Sequence, residues 1–320
     1  VATNPVISVF PLPWEIPAAA GHPVRFVRLN HCDFDGLPAL PAARGLDPRA
    51  ALLSAAVRAV GVLPAWSGGA SDLKEIHGAL LAALGPGQVR TFPWPLAPDA
   101  DALTDELQDL ARLFGLVDLR AAEEVHARDE AWRAPLRAWE REQGEAPVAP
   151  CPSRLYRDTL AAATSTGLLT GPPALPCPPP LAPADATRLR LGLAGGVELL
   201  TDLPEHLERA GARVVIDEWI HACAFVAPSA GLVDRYLGLG LPYGLEARAC
   251  RLRAFEEPRR VDAWVLVTSP FGASNLERLG FPCWLERPVL ALEADARRPL
   301  AAADVLRLEA FLRTLREARR

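Results

Sequence analysis

Apolar and polar positions follow two rhythms along this chain. Short apolar runs bounded by turn residues predict strands at 6–10, 24–29, 60–63 and 88–92, the last ended by Pro93 and Pro95. Between them, helical spacing predicts a short helix over 14–20, closed by Gly21, and another over 50–59. From Asp99 to about residue 166 the rhythm becomes that of long amphipathic helices, with Leu103, Leu107, Leu110, Leu113 and Phe114 at helical spacing. Residues 118–142 predict a charge-rich helix that Pro135 should kink or divide, and 153–163 predict a third. The Pro-rich run 172–183 reads as a semi-rigid linker.

A second alternating stretch begins at Thr187. It predicts strands at 189–193, 213–217, 262–267 and 289–293, and helices over 197–210, 245–257 and 301–316. The predicted fold class is therefore α/β: two Rossmann-like parallel-sheet domains with an intervening helical segment. The expected boundaries are 1–98, 99–186 and 187–320.

One short motif occurs twice. Gly69-Ala70-Ser71-Asp72-Leu73-Lys74-Glu75-Ile76 is echoed by Gly272-Ala273-Ser274-Asn275-Leu276-Glu277-Arg278-Leu279. Each copy follows an apolar run, 60–63 or 264–267, and opens a helical pattern. In open parallel sheets such strand-end loops are where ligands bind. Small residues let backbone N–H groups approach an anion at a helix N-terminus. Gly69, Ala70, Ser71, Gly272, Ala273 and Ser274 are thus candidate substrate contacts for a phosphate or thioester oxygen. The same residues also fit plain helix caps, with Asp72 as an N-cap and Ser274-x-x-Glu277 as a capping box.

Composition narrows the function classes. Half the residues are apolar and the net charge is -5, which argues against a nucleic-acid surface. The charge-poor stretch 159–184 holds seven prolines, so it is not expected to span a membrane. The N-terminal Val-Ala-Thr-Asn-Pro lacks the basic and apolar runs of a signal peptide, and the expected location is cytoplasmic. Six cysteines are scattered without C-x-x-C spacing, which fits reduced thiols. Cys151, Cys177 and Cys250 read as structural or incidental.

Four segments occur in a telling order: Trp14-Glu15-Ile16-Pro17-Ala18-Ala19-Ala20-Gly21-His22-Pro23-Val24-Arg25; residues 189–217 with Gly211-Ala212-Arg213-Val214-Val215; Val289-Leu290-Ala291-Leu292-Glu293-Ala294-Asp295; and Arg307-Leu308-Glu309-Ala310-Phe311-Leu312. Together they resemble the 2-hydroxyacyl-CoA dehydratase / benzoyl-CoA reductase subunit family, and its 2-hydroxyglutaryl-CoA dehydratase D-component-like members. The resemblance implies two α/β domains around a cleft, an acyl-CoA substrate and a lyase-type activity. It also implies a [4Fe–4S] cluster on cysteines that include one at each of the two motif positions. No cysteine occurs in 60–72 or 264–275, and the third expected near 36–50 is also missing. Iron–sulfur clusters need thiolate ligands, so no cofactor is expected in this divergent member.

The leading expectation is a cluster-less subunit that shapes an acyl-CoA pocket as half of a heterodimer with a cysteine-bearing homologous subunit. A second is a non-catalytic scaffold or assembly protein that retains the fold. A third is a metal enzyme in which His31, Cys32, His221 and Cys223, each pair following a strand, form a tetrahedral zinc-type site.

Glu15 is the candidate catalytic residue, as general acid/base or polar substrate contact; a helix N-terminal carboxylate is the plain alternative. Asp217 and Glu218, at a strand end, are similar candidates. His126 is expected on a solvated helix face. The Gly192-x-x-Gly195-Gly196 turn lacks the full dinucleotide fingerprint, and no G-x-S-x-G elbow occurs.

Overall fold

A computed structural model describes residues 6–9, 11–27, 62–65, 90–146, 151–170, 188–268, 274–294 and 297–319. The first motif copy, His31, Cys32, Gly272, Ala273 and the expected helix over 50–59 lie outside the described residues.

The chain opens with β1 (Val6–Val9), α1 (Glu15–Ala19) and β2 (Val24–Val27), and continues through β3 (Val62–Ala65) and β4 (Arg90–Pro93). Helices α2 (Ala100–Leu113), α3 (Arg120–Glu145) and α4 (Ser153–Thr170) follow. Then come β5 (Leu189–Gly195), a 3₁₀ turn (Val197–Leu199), α5 (Leu203–Arg209), β6 (Ala212–Asp217), α6 (Glu218–Cys223), α7 (Leu232–Leu237) and α8 (Leu245–Glu256). The chain ends with β7 (Ala263–Thr268), α9 (Ser274–Trp284), β8 (Val289–Glu293) and α10 (Ala302–Ala318). The fold is α/β, and every strand pairing described is parallel.

Two compact units divide the chain. One is Val1–Trp132 with Pro228–Gly244, the other Arg133–Ala227 with Leu245–Arg320. In the first, β1 pairs with β2 and β3 with β4. Asp99 caps α2, its Oδ1 accepting from the Asp101 and Ala102 N–H groups at 3.0 Å. The predicted spacing holds there, because Leu103, Leu107 and Leu110 are buried.

The second unit carries a four-stranded sheet in the order β6-β5-β7-β8. Strands β5, β6 and β7 are buried on both faces, as parallel strands covered by helices must be, while the edge strand β8 is mostly half-buried. On one face Leu189, Leu191, Leu193, Val214 and Val265 pack with Leu203 and Leu207 of α5 and Leu308 and Leu312 of α10. On the other, Val215, Ile216, Trp264 and Leu266 pack with Ala249 and Leu252 of α8 and Phe281 of α9. The register slips between Leu191 and Gly192, making Val215 the extra residue in β6. The chain leaves β5 to one side for β6 and returns on the other as β7, so the topological switch point lies between β5 and β7.

The structure corrects one expected helix and narrows the expectation for another. The helix expected over 197–210 is split into the 3₁₀ turn and α5. Leu200 instead bridges to Arg298, and Pro204 sits at the start of α5, where its missing N–H costs nothing. Of the two outcomes expected at Pro135, a kink or a division, the division does not occur, since α3 runs unbroken for 26 residues. Beside the exposed proline, Leu136 is buried, and buried Arg133 donates to the Ala224 carbonyl at 2.5 Å. Tertiary packing therefore overrides the local break. Pro135→Ala restores a backbone hydrogen bond on a solvent face and is expected to raise stability by about 1–3 kcal/mol. Thermal unfolding followed by circular dichroism checks this, and an unchanged or lower Tm counts against it.

Candidate functional site

The strand ends at the switch point of the second unit carry the first group of charges. β5 ends in the turn Gly195-Gly196, and the Gly196 N–H donates to the Val267 carbonyl of β7 at 2.8 Å. β6 ends at Asp217, which caps α6 through the Ile220 N–H at 3.2 Å and accepts from Arg157 Nε at 2.6 Å. Next along, Glu218 is gripped by Arg248 of α8 through two parallel bonds, Nε to Oε1 at 2.5 Å and Nη2 to Oε2 at 2.6 Å. Glu218 Oε2 also accepts from the Gly195 N–H at 3.3 Å. The remaining Arg248 nitrogen, Nη1, donates to Glu277 in the first turn of α9.

One guanidinium thus faces two carboxylates, and the bidentate Glu218 already neutralises it. Glu277 is the surplus acid. Burial, together with the Glu218 charge and against the pull of Arg248, pushes its carboxyl above the ordinary value. Ser274 is already the first helical residue of α9, one position inside the cap expected for it.

A second network surrounds Glu140 of α3. Arg259 donates to both carboxylate oxygens, at 2.6 and 2.8 Å, and the Tyr156 hydroxyl to Oε1 at 2.6 Å. Burial alone would raise this carboxyl, but Arg259 and Tyr156 hold it below its ordinary value. His221, expected as a zinc-type ligand, points its Nε2 at Glu140 Oε2 from 3.8 Å and packs edge-on against Phe255. Burial pushes the imidazole down to about 3, which keeps it neutral. Cys223 is buried on the same helix. His31 and Cys32, the other half of that proposed site, lie outside the described residues. Among the described residues no three His, Cys, Asp or Glu side chains are grouped to hold a metal ion.

The first unit places Glu15 at the heart of a third group. Glu15 is fully buried. Its Oε1 accepts from Arg235 Nη1 of α7 at 2.6 Å, and its Oε2 from the Tyr236 hydroxyl at 2.6 Å. Arg235 also reaches Asp129 and Glu130 of α3, at 2.7 and 2.6 Å. Burial, with Asp129 adding to it, pushes Glu15 above its ordinary value despite Arg235 and Tyr236. His126, expected on a solvated face, is instead buried. Its Nε2 lies 2.9 Å from Ser229 Oγ, which donates to Glu130 at 2.9 Å. Because that hydroxyl donates to Glu130, it accepts from His126.

The sequence alone does not reveal Arg235, Tyr236, Arg248 or Arg259. Each is isolated in its local pattern, and its partners are far away along the chain.

The cluster implied by the resemblance does not fit these residues. Of the described cysteines, Cys151 and Cys223 are buried and Cys250 and Cys283 exposed, on four different stretches of chain. Burial pushes the Cys151 thiol up to about 12, so it stays protonated. Neither motif copy contains a thiol. No protein-family model matches the chain, and no curated protein matches it. No helix among the described residues is long and apolar enough to cross a membrane.

Proposed function

We propose that this chain is a cluster-less subunit of a 2-hydroxyacyl-CoA dehydratase- or benzoyl-CoA reductase-like complex. In this reading it works in the cytoplasm, contributes to an acyl-CoA pocket, and leaves electron transfer to a cysteine-bearing homologous subunit. The observation that carries the reading is the switch point of the parallel sheet. It keeps a tight glycine turn after β5, and it opens α9 within the second motif copy, where a thiol would be needed and none exists. Parallel α/β sheets take ligands at such strand ends.

A scaffold role is the second reading. It is favoured because the charges described at the crevice are already paired within the chain: Asp217 with Arg157, and Glu218 and Glu277 with Arg248.

Anaerobic purification with iron and acid-labile sulfide analysis, followed by calorimetric titration with acyl-CoA thioesters, tests both. The proposal expects no iron or sulfide and a measurable heat of binding. Stoichiometric iron and sulfide would overturn the cluster-less assignment. Absence of heat with every acyl-CoA would remove the pocket and leave the scaffold.

A further inference from the structure

The sheet of the second unit ends in β8, and among the described residues no strand lies beyond it. Its neighbour β7 takes up alternate backbone groups. The Trp264 N–H donates to the Pro288 carbonyl at 2.8 Å, and the Ala294 N–H to the Thr268 carbonyl at 3.0 Å. With Trp264 opposite Val289 and Thr268 opposite Glu293, the ladder between these ends uses the N–H and carbonyl groups of Leu290 and Leu292. The backbone groups of Val289, Ala291 and Glu293 therefore point away from the sheet. A row of such groups is a template for another strand.

Two arginines cover part of this row. Arg307 of α10 donates through Nη2 to the Ala291 carbonyl at 2.7 Å, and Arg298 through its Nη2 to the Glu293 carbonyl at 2.9 Å. Arg298 is fixed from several sides. Its Nη1 reaches Asp304 Oδ2 at 2.9 Å and the Pro299 carbonyl at 2.9 Å, and its backbone N–H donates to the Leu199 carbonyl at 2.8 Å. Arg307 is exposed, and among the described residues its side chain bonds to the strand edge and to no carboxylate.

What the arginines cover is self-complementary. A second β8 turned about a two-fold axis at Ala291 would run antiparallel, with Ala291 opposite Ala291 and Val289 opposite Glu293. The outward groups of these residues would then exchange hydrogen bonds pair by pair, and the carbonyls of Ala291 and Glu293 are acceptors that this pairing needs. Helices α9 and α10, which both pack on β8, also carry exposed leucines, Leu276 and Leu279 at 62% and 67% and Leu306 at 68%. Against the pairing stands Arg307. Two of its guanidiniums would meet near the axis, and like charges set face to face are costly.

We propose that Arg307 guards the β8 edge, holding the Ala291 carbonyl and so closing the sheet to a second copy of this chain. The guard is independent of the acyl-CoA reading, because it lies along the side of the sheet and not at the strand ends. Pairing freed from it stops at a dimer, since an isologous contact uses up both edges.

Sedimentation equilibrium of wild type and Arg307→Ser over a concentration series reads the guard. Arg307→Ser should dimerise with a dissociation constant lower than that of the wild type by on the order of tenfold or more. Arg313→Ser removes an exposed charge of the same helix that has no such bond among the described residues, and should behave as wild type. In the dimer the Ala291 amide should exchange more slowly with solvent than in wild type. Ala291→Pro added to Arg307→Ser takes away that outward N–H, which an edge strand tolerates, and should restore wild-type association. Circular dichroism melting checks that the double variant keeps its fold, and the amide exchange of Arg307→Ser reads the same contact without it. The guard is overturned if Arg307→Ser associates no more than wild type, if Arg313→Ser associates as strongly, or if Arg307→Ser forms open-ended aggregates. It is equally overturned if the Ala291 amide is not slowed in the dimer, or if a folded double variant still dimerises.

Discussion

Replacing Glu140 with Gln lowers the stability of the second unit by about 3–5 kcal/mol at neutral pH, the cost of leaving a buried cation without its counter-charge. Arg259 is 4% exposed and gives both terminal nitrogens to this one carboxylate. Glutamine can accept at one oxygen only, and its amide would point donors at the guanidinium or at the Tyr156 hydroxyl. Arg259 Nη1 also donates to the Val215 carbonyl at 2.7 Å, so the damage reaches the bulge of β6.

The pH dependence is the sharper test. The folded Glu140 carboxyl is held below its ordinary value of 4.5, so its contribution is present above that pH and is lost as pH falls through the folded value. The gap between wild type and variant should therefore close in acid. His221, neutral when folded, destabilises both proteins alike as pH drops below 6.5 and to first order cancels in the difference. Urea unfolding of both proteins at neutral and acid pH measures the gap. A difference of less than about 1 kcal/mol at neutral pH, or one that widens in acid, would defeat the prediction.

Glu15 and Glu140 are both buried glutamates paired with an arginine, yet their acidities move in opposite directions. The balance of burial against the paired groups explains it. Around Glu15 burial is the largest effect, and the nearby Asp129 charge adds to it against the pull of Arg235 and Tyr236. Around Glu140 a single carboxylate takes a whole guanidinium and a phenol. Burial penalises the ion in both places, and at Glu140 the pull of Arg259 and Tyr156 outweighs it.

That distinction was not legible in the sequence, and α3 shows why. Besides Trp139, its buried side chains include the series Ala122, His126, Asp129, Arg133, Leu136, Glu140 and Gln143, spaced alternately four and three apart. The period is that of a packed helix, but five of the seven residues are polar, so a search for apolar repeats sees only a charged, solvated segment. A scan for polar residues at that spacing on a long helix would have exposed His126 and Glu140. The partners are a harder matter, because Glu15 and Arg235 lie 220 residues apart and nothing local joins them. By contrast, the strands of the second unit stood out as apolar runs, since buried parallel strands need apolar side chains on both faces. The helix expected over 197–210 failed where tertiary context won, at the turn before Pro204, and α3 continues through Pro135 without dividing.

Gly195→Ala is expected to cost roughly 2–4 kcal/mol and to spoil the strand-end turn itself, through backbone strain plus a forced shift of β7. Gly195 has φ +76°, where an L side chain is strained. A Cβ there would also sit 2.2 Å from the Val267 carbonyl oxygen, which is backbone in a buried strand and has nowhere to move. The same carbonyl accepts the Gly196 N–H, and the Gly195 N–H reaches Glu218, so the turn and the Arg248 pair would shift together. Gly211→Ala separates the two contributions. Gly211 has a similar φ of +72°, but its new Cβ would meet only the flexible tip of Arg316 at 3.2 Å. It should lose only the backbone strain, about 1–2 kcal/mol. Denaturant unfolding of both variants gives the comparison, and equal costs would mean that β7 does not crowd the turn. On the acyl-CoA reading, Gly195→Ala should also abolish the calorimetric signal while Gly211→Ala keeps it, because only the former disturbs the strand end where the ligand would lie.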